Sequence, residues 1–133
     1  MIYALDTNII SYLIRGDKTV TARWLKERQF GNKSIIPIVA YYEAKRGLLA
    51  VGATTKLKSF EELCSVLGVD DLSRDDADTA SRIYAELKRK GKLQGDSDIL
   101  IAAQALTRGY ALVTNNTKHF SGITGLNLED WTI

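Results

Sequence analysis

The chain has 133 residues, 45% hydrophobic and 26% charged, which suits one domain built on a single core. The formal net charge of +2 is too small to announce a nucleic-acid binder, but it is uneven: residues 1–66 carry 10 basic and 6 acidic side chains, residues 67–133 carry 8 and 10, so a locally positive face is compatible with the whole. A lone cysteine, Cys64, excludes an internal disulfide and any zinc site built on paired or fourfold cysteines; with no signal-peptide pattern and no stretch approaching the ~20 apolar residues of a membrane span, a cytoplasmic protein with no membrane partner is expected.

In chain order, Ile2 to Leu5 reads as a buried strand and Thr7 to Ile14 as a helix with Ile10, Leu13 and Ile14 at helical spacing. Gly16 supplies the left-handed stop after it. Thr19 to Phe30 is a second predicted helix with Val20, Trp24 and Leu25 inward, and Ser34 to Ile36 a short strand. Pro37, the only proline, is expected at the first position of a helix through about Val51. A further helix covers Thr54 to Cys64, and a strand lies within Val66 to Leu72. Ser73-Arg74-Asp75-Asp76 is a capping sequence with early acids; its helix runs to Arg89 and breaks at Lys90-Gly91-Lys92. Gly95-Asp96-Ser97-Asp98 introduces a helix to about Thr107, with Gly109 beyond its end. Ala111 to Thr114 is a buried strand, Asn115 to Phe120 a turn or short helix, and Leu126 to Trp131 a last strand. Alternating strands and helices imply an α/β fold, a central, mostly parallel sheet flanked by helices on both faces. There are no repeats and no linker.

Chemistry concentrates in acids. Asp6 ends the first apolar run, where an α/β sheet presents polar groups at its carboxyl edge; the plainer alternative is a helix N-cap, supplied by Asp6 or Thr7. Glu43 sits mid-helix with Val39, Ala40 and Gly47 as i±3 and i±4 neighbours, so it is no ordinary solvated glutamate unless Arg46 or Lys45 pairs with it. Asp98 shares a helix face with Ile101, Ala102 and Ala105 and needs a cation or a donor if buried. Asp96 is a helix cap or an additional ligand. Asn115 and Asn116 follow a strand end near Asp6; they are turn residues, or an amide at a metal. Thr114 is placed to hydrogen-bond an inner carboxylate, and Thr7, Asn8 and Ser11 to position the acids or a phosphate. Carboxylates held close must protonate or take up a cation, and a hard divalent ion such as Mg2+ suits oxygen donors and phosphates. His119, the only histidine, is read as a surface residue, with proton transfer or phosphate contact as the lesser option.

The run Leu5-Asp6-Thr7-Asn8 with Ser11, Glu43 in its helix, Asp98-Ile99-Leu100-Ile101-Ala102-Ala103, Val113-Thr114-Asn115-Asn116 and the ending Phe120 … Gly125-Leu126 … Glu129-Asp130-Trp131 together resemble the PIN-domain ribonucleases, and more narrowly the VapC toxins of bacterial toxin–antitoxin pairs. The resemblance covers almost the whole chain. It implies a single PIN-like domain over residues 1–133 and a Mg2+- or Mn2+-dependent endoribonuclease that cuts structured RNA such as tRNA or rRNA. It also implies a homodimer and inhibition by a cognate VapB-type antitoxin. Asp6, Glu43 and Asp98 match the family's acidic positions as catalytic and metal-holding residues, with Asp96 and Asn116 as further metal candidates. Asn116 stands where many members carry a fourth Asp, and His119 where an acid often precedes the phenylalanine; both departures count against a second tightly held metal.

The expected step is in-line attack of water on a phosphodiester, leaving a 3′-hydroxyl and a 5′-phosphate. It needs no 2′-hydroxyl, so preference for RNA rests on shape and groove contacts. Arg15, Lys45 and Arg46 are the candidate backbone contacts; the cluster Lys88 to Lys92 is better read as a solvated helix end. Of Tyr41 and Tyr42, one is expected in the core and the other is free to stack on a base. Two rivals stand beside this reading. An aspartyl-phosphate phosphatase would want an acid where Asn8 lies. A non-catalytic RNA- or protein-binding module would account for Asn116 and His119.

Overall fold

In the computed structural model, which describes residues 1–133, strand β1 (Ile2–Leu5) lies at the centre of a five-stranded sheet. The elements run α1 (Thr7–Ile14), α2 (Lys18–Gln29), β2 (Lys33–Pro37), α3 (Ile38–Ala50), α4 (Thr54–Leu67), β3 (Val69–Asp70), α5 (Arg74–Arg89), α6 (Asp96–Arg108), β4 (Ala111–Val113), α7 (Thr117–Phe120) and β5 (Leu128–Glu129). Strand order is β3-β2-β1-β4-β5 and every pairing is parallel. Consecutive residues of the inner strands are buried, Tyr3, Ala4 and Leu5 in β1 and Ala111, Leu112 and Val113 in β4. Successive side chains point to opposite faces, so both faces of the sheet are covered. That confirms the doubly covered α/β arrangement the sequence implied.

The local departures from the sequence reading have physical causes. Helix α4 continues to Leu67 and carries Val66 with it, 57% exposed. Gly68, at φ 85°, then turns the chain, and only Val69–Asp70 pairs with β2, through Ile36↔Val69 and Pro37↔Asp70. The strand expected within 66–72 is thus two residues at a sheet edge. Pro37 closes β2 and stands at the N-cap of α3, one position earlier than expected, because its ψ of 142° keeps it in that parallel ladder. Leu25 is half exposed rather than inward, and α2, which is capped by Asp17, packs through Val20 and Trp24. The last strand is shorter than Leu126 to Trp131, pairing only through Leu128 and Glu129. Ser73 and Asp76 form the expected capping box of α5.

The C-terminal residues are fastened to the first strand. Trp131, 1% exposed, meets Tyr3 edge-on with ring centroids 5.1 Å apart. Arg23 bridges Glu27 at 2.9 Å and Glu129 at 2.7 Å, and the Tyr3 hydroxyl donates to Glu27 Oε1 at 3.2 Å. Trp131 Nε1 donates to Glu129 Oε1 at 3.1 Å. Arg23 holds the Glu27 carboxyl below its ordinary range, against the opposing effect of burial.

Candidate active site

From β1 the chain proceeds to β2 and β3 on one side, while β4 and β5 lie on the other. The crevice above the carboxyl ends of β1 and β4 is therefore the topological switch point of the sheet, where α/β folds place ligands. Asp6 and Thr114 leave the sheet there. Asp6 extends the ladder by one step, its amide donating to Val113 O at 2.9 Å, then serves as N-cap of α1. Its Oδ1 accepts from the Thr7 amide and its Oδ2 from the Thr114 hydroxyl, each at 2.8 Å. The Thr114 oxygen in turn accepts from the Asn116 amide at 3.0 Å, which fixes the hydroxyl as donor to Asp6. Cap and buried carboxylate are thus one residue.

Asp6 is 5% exposed, and burial pushes its carboxyl above the ordinary value of 3.8. The bonds from Thr114 and Thr7 lower it without cancelling that effect, and the charges of Asp98 and Glu43 raise it further. Three acids, from the junction of β1 and α1, from α3 and from α6, therefore share one electrostatic neighbourhood. Glu43, its side chain 20% exposed, accepts from Thr7 Oγ1 at 2.8 Å. Arg46 approaches its other oxygen at 3.8 Å, so the ion pair considered from sequence exists, with Arg46 and not Lys45. Asp98 Oδ2 lies 3.3 Å from His119 Nδ1. His119 is half-exposed, as expected of a surface residue, yet it touches an acid of the site.

The supporting residues fall close by. Asn8 Nδ2 donates to Asn115 Oδ1 at 3.2 Å, tying α1 to the turn after β4. Ser11 donates to Thr7 O within its own helix and lines a groove beside Glu43. Asn116 precedes α7 without a side-chain capping bond. Asp96 departs from the expectation of a cap. Gly95 is the N-cap of α6, and Asp96 lies beside Tyr84, Ile99 and Leu100 in the cleft between α5 and α6. Two residues before Asp98 on a helix is nearly the opposite face.

Of the cations, Arg15 stacks over Tyr12 at 4.8 Å and lines the groove at Glu43. Arg46 stacks over Tyr42 at 5.1 Å. Lys45 is turned away: it donates to the Tyr41 hydroxyl at 3.0 Å and pairs with Glu61 at 3.2 Å, so its expected backbone contact is not supported. Tyr41 packs on Phe60 and Tyr42 is exposed, the division expected. Lys90 is held by Glu86 and Gly122, as a solvated helix end should be. Lys56, from the first turn of α4, completes the groove and was missed, since nothing in the sequence relates it to Glu43. A larger cavity of about 440 Å3, lined by Arg28, Asn32, Lys33 and Ser34, holds no acid.

The donor set is hard oxygen. No three His, Cys, Asp or Glu side chains are drawn together into a ready-made metal cluster. Like charges repel, and each carboxylate here has turned to a local partner: Asp6 to Thr114 and Thr7, Glu43 to Thr7 and Arg46, Asp98 to His119. The three acids fit a hard divalent cation in chemistry and charge, because a cation offsets both the burial that raises Asp6 and the added repulsion from Asp98 and Glu43.

A parallel α/β domain with buried acid at its switch point is the class of fold and site the structure defines, and the PIN-domain family model matches residues 3–125. The chain belongs to the PIN-domain family, and within it to the VapC ribonucleases. It is 33% identical to Ribonuclease VapC2 of Haemophilus influenzae over 131 residues, 97% of each chain. It is equally similar, 33% over 131 residues and 97% of each chain, to the tRNA(fMet)-specific endonuclease VapC of Salmonella typhimurium. Its fold is similar to that in the structure of VapBC2 from Rickettsia felis bound to a DNA fragment from their promoter, with a TM-score of 0.91, 29% identity, and 98% of this chain and 99% of that chain covered. DNA-bound VapBC from Salmonella typhimurium gives a TM-score of 0.88 at 30% identity, covering 98% of each. No helix is long and apolar enough to cross a membrane.

Proposed function

We propose that the protein is an endoribonuclease that hydrolyses phosphodiester bonds in structured RNA with the help of Mg2+ or Mn2+, and that it acts as the toxin of a VapBC-type pair. The observation that carries this reading is Asp6. A carboxylate fixed through both oxygens, pushed up by burial and further by two neighbouring acids, is costly unless a cation uses it. Asp6, Glu43 and Asp98 would hold the ion, which when bound supplies a lowered water pKa and charge neutralisation at the phosphoryl oxygens. Thr114 and Thr7 keep the oxygens of Asp6 in place, Thr7 aligns Glu43 with it, and His119 orients Asp98. Asn8 and Asn115 brace the rim. Attack in line by water leaves a 3′-hydroxyl and a 5′-phosphate. The family names of the relatives favour tRNA among structured RNAs, and the solved VapBC assemblies favour a cognate antitoxin as partner; a homodimer is part of the same reading.

The test is incubation of antitoxin-free protein with total RNA, with Mg2+ and with chelator. Cleavage is expected with the metal, absent with chelator, and absent in Asp6→Asn and Asp98→Asn variants that remain folded. A second reading, a non-catalytic PIN-like module that binds RNA or protein, is favoured by one observation: the acids are engaged by local partners and not gathered into a cluster. RNA binding without cleavage at any Mg2+ or Mn2+ concentration would select it.

A further inference from the structure

We propose that the groove between α1, α3 and α4 is a phosphate subsite in which Arg15 and Lys56 grip the RNA phosphate next to the one being hydrolysed. The inference rests on the nuclease reading and deepens it by assigning one strand contact.

The groove is lined by Thr7, Ser11, Arg15, Glu43, Gly47 and Lys56, among others. It shares Thr7 and Glu43 with the acidic site, so a strand whose phosphate reaches Asp6 and Glu43 has this groove directly beside it. Its volume is about 210 Å3, below the ~300–1,000 Å3 of sites that enclose a small molecule. That is room for a phosphate and its sugar edge, not for an enclosed base. Neither Arg15 nor Lys56 has a carboxylate partner, whereas Lys45, Arg46 and Lys90 do. Arg15 is braced on the Tyr12 ring, which reduces the rotamer freedom lost on binding. The two cations come from the C-cap of α1 and the first turn of α4 and line one cavity, an arrangement suited to holding an anion through charge-assisted hydrogen bonds. Lys56 belongs to the first turn of α4, where the helix dipole adds to its charge. The groove is open at Gly47, where a Cβ would meet nothing within 4 Å. Glu43 is the one acid in the groove, and its oxygens already face Thr7 and Arg46. An acidic protein segment would also find cations here, but contiguity with the phosphodiester site favours RNA.

The experiment uses an RNA oligonucleotide spanning a site that the wild-type protein cuts in total RNA. Arg15→Gln and Lys56→Gln are exposed substitutions, checked for unchanged melting. Each is expected to raise KM about fivefold to tenfold with kcat within twofold, and to reduce the slope of log KM against log salt by roughly 0.7. The oligonucleotide is then made with a single uncharged methylphosphonate at each position flanking the cut. One flanking position should weaken binding to the wild type and have little further effect on the Arg15→Gln/Lys56→Gln double variant. Wild-type cleavage with unchanged KM and salt slope in both variants would overturn the subsite and leave the nuclease reading standing. So would variants that lose binding to an acidic peptide while their binding to RNA is unchanged. Absence of any metal-dependent cleavage by the wild type would overturn the nuclease reading and the subsite with it.

Discussion

Thr7 Oγ1 donates to Glu43 Oε1 at 2.8 Å across 36 residues of sequence, while the Thr7 amide donates to Asp6 Oδ1. One residue thereby sets the relative positions of two acids that no secondary-structure element holds together. Thr7→Val removes the hydroxyl with little change in shape. It is expected to lower kcat/KM about tenfold with no loss of fold, and Thr7→Ser to restore most of it. Equal activity in the valine variant would show that Glu43 is placed by α3 alone.

Asp6→Asn should separate stability from function. The charged carboxylate is buried beside two other acids, so its neutral amide relieves that cost while giving up one of the two accepted hydrogen bonds; stability is expected to stay within about 1 kcal/mol of wild type at pH 7 while cleavage falls at least about 100-fold. Thermal melting and a cleavage assay on the same preparation decide this. A markedly lower melting temperature would mean that the bonds from Thr114 and Thr7 outweigh the desolvation that raises the group.

Acid sensitivity is expected to come from a different carboxylate. Asp76 is fully buried, and burial alone would raise it. The Ser73 backbone and hydroxyl bonds, together with Arg108 at 2.8 Å, outweigh that and hold its carboxyl below the ordinary 3.8. A depressed folded-state value means the stabilisation is fully present above about 3.8 and is lost as pH falls through the lower folded value. Asp76→Asn should cost about 2–4 kcal/mol at pH 7, measured by urea unfolding, with the difference from wild type shrinking below about pH 4. A pH-independent difference would assign the effect to packing.

His119 is expected to act through Asp98. Removing its ring in His119→Ala frees Asp98 Oδ2, which is otherwise 3.3 Å from Nδ1. Mn2+ affinity measured by calorimetry should fall roughly tenfold, and His119→Gln, which keeps a donor, should retain most of it. Wild-type affinity in the alanine variant would make the contact incidental.

The parts of the site legible in the sequence are those tied to an element's end or face. Asp6 follows an apolar run and Asp98 sits on an apolar helix face, so their placement follows from local pattern. Glu43 is legible from its small and apolar neighbours. What escapes depends on tertiary packing. Lys56 reaches the groove only because α4 packs against α1 and α3, and His119 meets Asp98 only because Phe120, 1% exposed, anchors α7 in the core. The difference at 66–72 has a related cause: Val66 and Val69 have the same β propensity, and only the turn at Gly68 separates helix from strand. Lys45 and Lys56 look alike as surface lysines; a glutamate across the helix pair claims the first and leaves the second unpaired.

The Tyr3–Trp131 contact and the Arg23 bridge to Glu27 and Glu129 make the tail a guy-rope for the strand that leads into Asp6. A protease nick or a premature stop ahead of Trp131 would slacken that strand and silence the enzyme with every acid intact. Screens for disarmed variants should therefore recover truncations and Trp131 lesions alongside changes at the carboxylates.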